Sequence, residues 1–597
     1  MTFTPPAPFT TRPQLEGSLG FAASTHWLAT ATAQAILERG GNAFDAVVAG
    51  GFVLHIVEPH LNGPGGDLVG LFRAAGSEPV VLMGQGAAPR GATIEHFRDE
   101  GLDLVPGAGG LAAAIPAAVD AWLLLLRDHG TLDLADVLAP AVHYARHGHP
   151  LLPAAAATIA RVEDLFREHW TDSAVLWMPE GRLPRGGEIV RNPAYADVLD
   201  RIAAAASGPG DRAARIDAAR SQWRTELLAA VEHLAKPHRH STGGDHAAVL
   251  SADDLSEPAA RYETPLTTSF RGRTIVKAGT WTQGPALLQA LRILEPLPDD
   301  RLDPSTTEGA HTIIEALKLA LADRDAHFGD GVDAAPLLAD DYIETRRALI
   351  GPTASSQWRP GAPTGAPGFH PTLRTDAARA AGTGEPTVTR TGSTRGDTCH
   401  IDVVDRWGNV VSVTPSGGWL QSSPTVPALG FCLGTRLQMC WLDERSPAAL
   451  RPGARPRTTL SPTLVIDSDD VWAMGTPGGD QQDQWQLPMI LRMIVGGYTA
   501  QQAIDAPTFH TTALIDSFWP RTWSPDGVVA EERLGPDVID GLRERGHAVE
   551  TTGGWSLGRL SAAGITAAGA RDTAAPGRGV LWAAANPRGM SGYAAGR

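Results

Sequence analysis

The sequence predicts an α+β protein, and three observations carry that prediction. Helical spacing dominates from about residue 111 to residue 350, in stretches such as VDAWLLLLRDHG, LADVLAPAVHYARHG, YADVLDRIAAAA, ALLQALRILE and TIIEALKLALADRDAHFG. Beyond Thr398 the chain turns to short β-branched runs bounded by turn residues. Its 597 residues, 43% of them hydrophobic, supply a large core, and 66 glycines with 46 prolines lacking any G-x-y period describe a loop-rich globular chain.

Near the start, Ala29, Ala33, Ile36 and Leu37 recur at helical spacing, and Gly40-Gly41 stops that helix. Asn42 or Asp45 can cap the next one, AVVAGGFVLHIV, whose apolar residues cover nearly every face and suit a helix sandwiched between layers. It runs into the loop EPHLNGPGGD (58–67), after which LVGLF and PVVLM have strand character. From about 351 to 395, Gly, Pro, Ala, Thr and Ser crowd with little periodicity, the composition of an exposed, mobile linker. Residues 399–405 and 410–414 then flank a Gly408-Asn409 turn as a β-hairpin. Residues 459–466 and 471–474 read as further strands, and MILRMIVGG and AQQAIDA as helices.

Composition narrows the function classes. A formal charge of −16 argues against a surface built for nucleic acid. Cys399, Cys432 and Cys440 are too few for a disulfide framework and form no C-x-x-C pair, which fits a reducing compartment. No basic segment followed by an apolar core opens the chain, and the longest apolar stretch, Leu104 to Leu126, is broken by Pro106, Pro116 and Asp120, so the expectation is a cytoplasmic protein without a membrane span. His233, His238, His240 and His246 lie in a polar loop without ligand spacing and read as solvated, so no metal is expected. Nothing resembles G-x-G-x-x-G with its downstream acid, and no cofactor is expected.

A linker that ends at a strand-opening Thr suggests a processing point at Asp397-Thr398. An N-terminal Thr joins a hydroxyl nucleophile to an α-amine whose pKa is near neutral, so the amine can serve as base for its own side chain. Before cleavage the same hydroxyl can attack the Asp397 carbonyl and shift the acyl group from N to O. The plainer alternative is that Thr398 merely starts a strand. Gly475-Thr476-Pro477-Gly478-Gly479-Asp480 lies between a strand and a helix, where Gly478 and Gly479 could aim backbone N–H groups at an oxyanion or simply form a turn. The Asn62-Gly63-Pro64-Gly65-Gly66 loop poses the same choice.

Together, GGNAFDAVVAGG, VEPHLNGPGGD, EALKLALADR, DTCHIDVVDRWGNVVSVT, RPRTTLSPTLV, GTPGGD, AIDAPTFH and ANPRGMSGYAAGR, in that order, resemble the γ-glutamyltransferase family of N-terminal-nucleophile hydrolases. The likeness runs from about Gly17 to the C-terminus. It implies an αββα sandwich of four layers, formed jointly by a large subunit (1–397) and a small catalytic subunit (398–597) of one self-cleaving precursor. It puts the processing nucleophile on Thr398, the hydroxyl that orients it on Ser416, the oxyanion glycines on Gly478 and Gly479, and the hydroxyl pair near the substrate on Thr458 and Thr459.

The substrate clamp departs from the family pattern. Where relatives use an Arg to grip the glutamyl α-carboxylate, this chain has Gln85; the clamp Asn becomes Gly418, and the clamp Asp aligns with Cys440 or, after a small insertion, with Asp443. These changes look like the branch that includes oxamate amidohydrolases. They nominate Arg436 for a replacement carboxylate contact, the alternative being a surface Arg or one that touches only neighbouring side chains, and Trp281 and Trp441 as residues that narrow the pocket or simply fill the core. Cys399 is expected on the opposite face from the nucleophile, and His400 as a hydrogen-bonding residue rather than a base. The expected activity is amide hydrolysis or acyl transfer on a small non-γ-glutamyl amide. A conventional γ-glutamyltransferase or glutathione hydrolase and a non-catalytic relative are the alternatives.

Overall fold

The computed structural model describes residues 3–375, 398–567 and 579–597. Fourteen strands build its two large sheets: β1 (Leu15–Gly17), β2 (Gly20–Ser24), β3 (Asp67–Arg73), β4 (Val80–Gly84), β5 (Arg261–Glu263), β6 (Leu266–Phe270), β7 (Arg273–Lys277), β8 (Ile401–Asp405), β9 (Val410–Ser416), β10 (Thr463–Asp467), β11 (Asp470–Gly475), β12 (Ser561–Thr566), β13 (Val580–Ala585) and β14 (Tyr593–Gly596). One sheet runs β14-β2-β8-β9-β3-β4-β5 and the other β1-β13-β12-β11-β10-β7-β6. Every neighbouring pair in both is antiparallel. Each sheet draws strands from both sides of Thr398, so neither stretch of chain could complete a sheet alone.

Two-residue alternation explains why β8 and β9 are buried on both faces. Ile401, Val403, Val411 and Val413 point toward a helical layer built from α1 (Trp27–Glu38), α2 (Ala43–Val57) and α3 (Ala118–His129). Val404 and Val410 point the other way, into an apolar layer shared with Val276, Leu464, Ala473 and Leu581 of the facing sheet. That second sheet covers its far side with α4 (Gly284–Leu294), α5 (Thr307–His327) and α6 (Gln482–Ile494). The order through the molecule is therefore helices, sheet, sheet, helices.

Helix α2 is buried along its whole length, as its all-round apolar sequence requires. The two candidate caps act as one: Asn42 Oδ1 accepts from the amides of Phe44 and Asp45, while Asp45 Oδ2 accepts from Asn42 N at 2.9 Å. The helix lies so close to α3 that a Cβ at Gly51 would sit 2.4 Å from the Trp122 ring. A Gly51→Ala protein is expected to lose about 1–3 kcal/mol of stability through overpacking, read as a lower urea midpoint with an unchanged slope.

Two sequence expectations need adjustment. The strand expected over 459–466 begins at Thr463, because Pro462 has no N–H to give to the ladder, and Thr459 to Ser461 lie outside any strand after a single bridge from Thr458 to Thr282. Residues 351–375 form no helix and pair through Arg374 alone, in an isolated bridge to Thr522, yet they are strapped to α5: Gly361 N donates to Asp323 at 2.7 Å, Arg359 to Glu315 at 2.7 Å, and Phe369 is buried. The rest of the expected linker, and Asp397 of the expected cleavage site, lie outside the described residues.

Candidate active site

Thr398 meets Ser416 in an antiparallel bridge just beyond the β8–β9 ladder, where Cys399 N donates to Pro415 O at 3.0 Å. The two hydroxyls are 3.1 Å apart, each on a residue 1% exposed. Register therefore aligns the nucleophile candidate and its partner hydroxyl: Ser416 closes β9 and faces Asp67 of β3.

Alternation sorts the neighbours. Cys399 turns into the helical layer, where its thiol lies 3.0 Å from Glu58 Oε2 and accepts from Asn62 Nδ2 at 3.0 Å. Burial and the Glu58 carboxyl beside it push that thiol far above the ordinary range, the opposite of what a thiolate nucleophile needs. His400 returns to the inter-sheet side and uses both ring nitrogens, one with Thr414 Oγ1 at 2.8 Å and one with Asp402 Oδ1 at 2.9 Å. Asp402 is held in turn by the hydroxyls of Ser412 (2.7 Å) and Ser561 (2.9 Å). This network braces the strand beneath Thr398 and leaves His400 no free nitrogen to act as base.

The glycine loop lies against the same network. A Cβ at Gly475 would fall 2.2 Å from the His400 ring, so β11 ends pressed on it. Gly478 (φ 135°) and Gly479 (φ 53°) follow in conformations that side chains resist, and a Cβ at Gly478 would also strike Trp485 at 2.2 Å. Gly479 O accepts from Gln283 at 3.1 Å, and Asp480 is fixed by Arg324 and by the Ser517 amide (2.8 Å) and hydroxyl (2.6 Å). These contacts hold the loop in place. The Asn62–Gly66 loop, by contrast, uses its glycines for contact with its own chain: a Cβ at Gly63 would lie 2.3 Å from Gly418 O, and one at Gly66 2.2 Å from Ser416 O.

The nominated substrate residues divide. Gln85 follows Gly84, which pairs with Leu68 beside Asp67, and its buried Oε1 has no hydrogen-bond partner among the described residues. The Thr459 hydroxyl is buried and equally unpartnered, whereas Thr458 is held by the Trp281 carbonyl at 2.9 Å and caps Leu460 N at 3.3 Å. Arg436 grips Asp67 with a two-pronged contact at 2.5 and 2.8 Å, so its charge already has a counter-ion. Cys440 is buried, with its thiol raised to about 12 by that burial, while Asp443 sits near the surface paired with Arg445 at 2.6 Å. Trp281 is part of the inter-sheet core and donates to Glu263 at 2.9 Å; Trp441 lies under the Arg521 guanidinium at 4.0 Å.

Arg457, in the motif RPRTTLSPTL, was not singled out by sequence. It is buried, its Nη2 donates to Ser517 Oγ at 2.7 Å, and Ser517 in turn holds Asp480 next to Gly479. Its Nη1 has no partner among the described residues, and the nearest carboxylate, Asp325 at 4.0 Å, is already paired with Arg324. Burial and Arg324 pull its pKa down to about 9, the mark of a buried cation short of counter-charge. Its signal in the sequence is the Arg immediately before the Thr458-Thr459 hydroxyl pair.

The histidine loop corrects the expectation of a solvated stretch. His238 and His240 accept from the amides of Gly110 (2.8 Å) and Leu111 (3.0 Å), and His246 pairs with Glu100 at 2.7 Å. These rings splint a neighbouring loop because burial keeps His240 neutral, at about 3. No group of three or more His, Cys, Asp or Glu side chains among the described residues could hold a metal ion. No helix there is long and apolar enough to cross a membrane.

Stacked antiparallel sheets between helices define an N-terminal-nucleophile hydrolase fold. The chain belongs to the gamma-glutamyltranspeptidase family, whose model matches residues 29–596. It is 30% identical over 552 residues to the glutathione hydrolase-like YwrD proenzyme of Bacillus subtilis, with 90% of this chain and 92% of that one covered. It is also 30% identical over 555 residues to the oxamate amidohydrolase proenzyme of Klebsiella pneumoniae, with the same coverage. Among solved structures, LmbA2991HD is 48% identical with a TM-score of 0.91, and 99% of this chain and 100% of that one are covered.

Proposed function

We propose that this protein is an autoprocessed amidohydrolase or acyltransferase that uses Thr398 as an N-terminal nucleophile on a small, non-γ-glutamyl amide. The observation that carries the reading is the buried Thr398–Ser416 hydroxyl pair at the head of a central strand. In maturation the Thr398 hydroxyl adds to the Asp397 carbonyl, the C–N bond breaks to leave an ester and a free Thr398 α-amine, and water then hydrolyses the ester to the Asp397 carboxylate and the regenerated Thr398 hydroxyl. Subunits 1–397 and 398–597 then stay joined as one αββα sandwich.

In turnover the α-amine takes the proton from the Thr398 hydroxyl as its oxygen attacks the substrate carbonyl. Ser416 orients that oxygen, and the backbone amides of Gly478 and Gly479 receive the developing oxyanion. The protonated amine passes its proton to the leaving nitrogen, and water or an acceptor amine then takes the acyl group from Thr398. Gln85 in place of a charged clamp weighs against γ-glutamyl substrates, since a neutral amide cannot replace a desolvated ion pair. Arg457 Nη1 and the Thr459 hydroxyl, both without a partner among the described residues, favour an amide that carries an anionic group.

Intact-mass measurement on the purified wild-type protein tests the reading. Fragments split between Asp397 and Thr398, with a Thr-directed electrophile adding to the smaller one, are expected. A chain that stays whole and takes no adduct would turn the assignment to a non-catalytic relative, and rapid turnover of a γ-glutamyl p-nitroanilide would restore the conventional substrate.

A further inference from the structure

Beside the segment that follows Ser416, an open groove of about 450 Å³ runs along the helical layer. Its walls are apolar: Val175 is 80% and Ile189 53% exposed, with Leu176, Pro193 and Pro427 between them. At its inner end the groove shares Val190, Arg191, Asn192 and Gly430 with a narrower recess that reaches His55, His149, Tyr195 and Gly418.

The polar groups at that junction are unfinished. Arg191 is exposed and makes no hydrogen bond or ion pair among the described residues. His55 and His149 are 4% and 3% exposed, yet His55 Nε2 and both ring nitrogens of His149 lack partners, as does the Trp177 indole N–H. Buried polar atoms are normally hydrogen-bonded, so three side chains with unpartnered atoms lining one recess favour an occupant that supplies hydrogen bonds. Burial holds His55 and His149 neutral, at about 3 and about 4, so each offers an N–H without adding charge.

We propose that groove and recess form a second ligand site that takes an apolar monocarboxylic acid, its carboxylate between Arg191 and the inner histidines and its hydrocarbon along Val175, Leu176 and Ile189. Of the two charged residues lining the groove, Asp172 lies 3.5 Å from His233 while Arg191 has no partner among the described residues, which favours an anionic head group, and a guanidinium suits a carboxylate's two oxygens. The size and mostly apolar lining match a pocket for one small molecule rather than a polymer. Its inner wall includes Gly418 and Asn62–Pro64, which pack against each other, so an occupant would touch the segment that follows Ser416 at the end of β9.

The site does not depend on the Thr398 chemistry, and the test keeps the two apart. Octanoate titrated calorimetrically into the full-length protein is expected to bind one-to-one, and equally well to an uncleaved Thr398→Ala chain. Arg191→Ala and Val175→Asp, both at exposed positions and checked by an unchanged unfolding midpoint, are each expected to weaken binding at least about tenfold, and octan-1-ol to bind at least about tenfold more weakly than octanoate. Absence of saturable heat, wild-type affinity in either variant, or equal binding of acid and alcohol overturns the site.

Discussion

A Thr398→Ala protein is expected to remain one chain of 597 residues and to turn over no amide above background, a loss on the order of 10⁴–10⁶-fold. Both effects come from one missing oxygen. The hydroxyl is the group that would attack the preceding carbonyl, and it is the group that would carry the acyl intermediate. Fold should survive, because the methyl group lost is small and Ser416 keeps its place in the β9–β3 register. Thr398→Ser provides the control: it retains the oxygen, and slower but complete cleavage with residual turnover is expected. Mass spectrometry after long incubation and a chromogenic amide assay read both arms. A cleaved and active Thr398→Ala protein would move the nucleophile elsewhere, and the thiol of Cys399 could not inherit the role while it stays buried against Glu58.

How much of this was legible in sequence depends on the range of the physics involved. Short-range signals were readable: Asn42 and Asp45 as caps, the all-round apolar helix between 43 and 57, and the Gly408-Asn409 hairpin turn all follow from neighbours within a few residues. The Thr398–Ser416 pairing was partly readable, because hairpin register follows once the turn is placed. Charge pairing across the fold was not. Arg436 finds Asp67 more than three hundred residues away in sequence, and nothing local distinguishes it from Arg457, which finds no carboxylate of its own. The histidine loop misled for the same reason: a polar, glycine-containing stretch is solvated unless distant backbone amides, here those of Gly110 and Leu111, need acceptors. Pro462, visible in the sequence, was the one local signal that could have shortened the expected strand over 459–466.

The contrast between the two arginines leads to the second large effect. Arg457→Leu is expected to lower kcat/KM on a carboxylate-bearing amide by about 10²–10³-fold, mostly through KM, while a neutral amide of the same shape changes by only a few-fold. Arg436 already spends its guanidinium on Asp67, but Arg457 has one nitrogen on Ser517 and another facing no partner among the described residues. A buried cation in that state is costly until an anion arrives, so substrate binding would recover energy that folding left outstanding. Stability is expected to fall at the same time, because Leu gives up the Ser517 hydrogen bond and leaves the buried carboxylates of Asp325 and Asp480 to share Arg324. A merely structural arginine would show no split between substrates, with the anionic and the neutral amide declining together and maturation into two fragments slowed. Arg457→Lys separates the remaining possibility, since a point charge keeps attraction but loses the planar fork, and it should recover part of the KM loss on the anionic amide while leaving the neutral one unaffected.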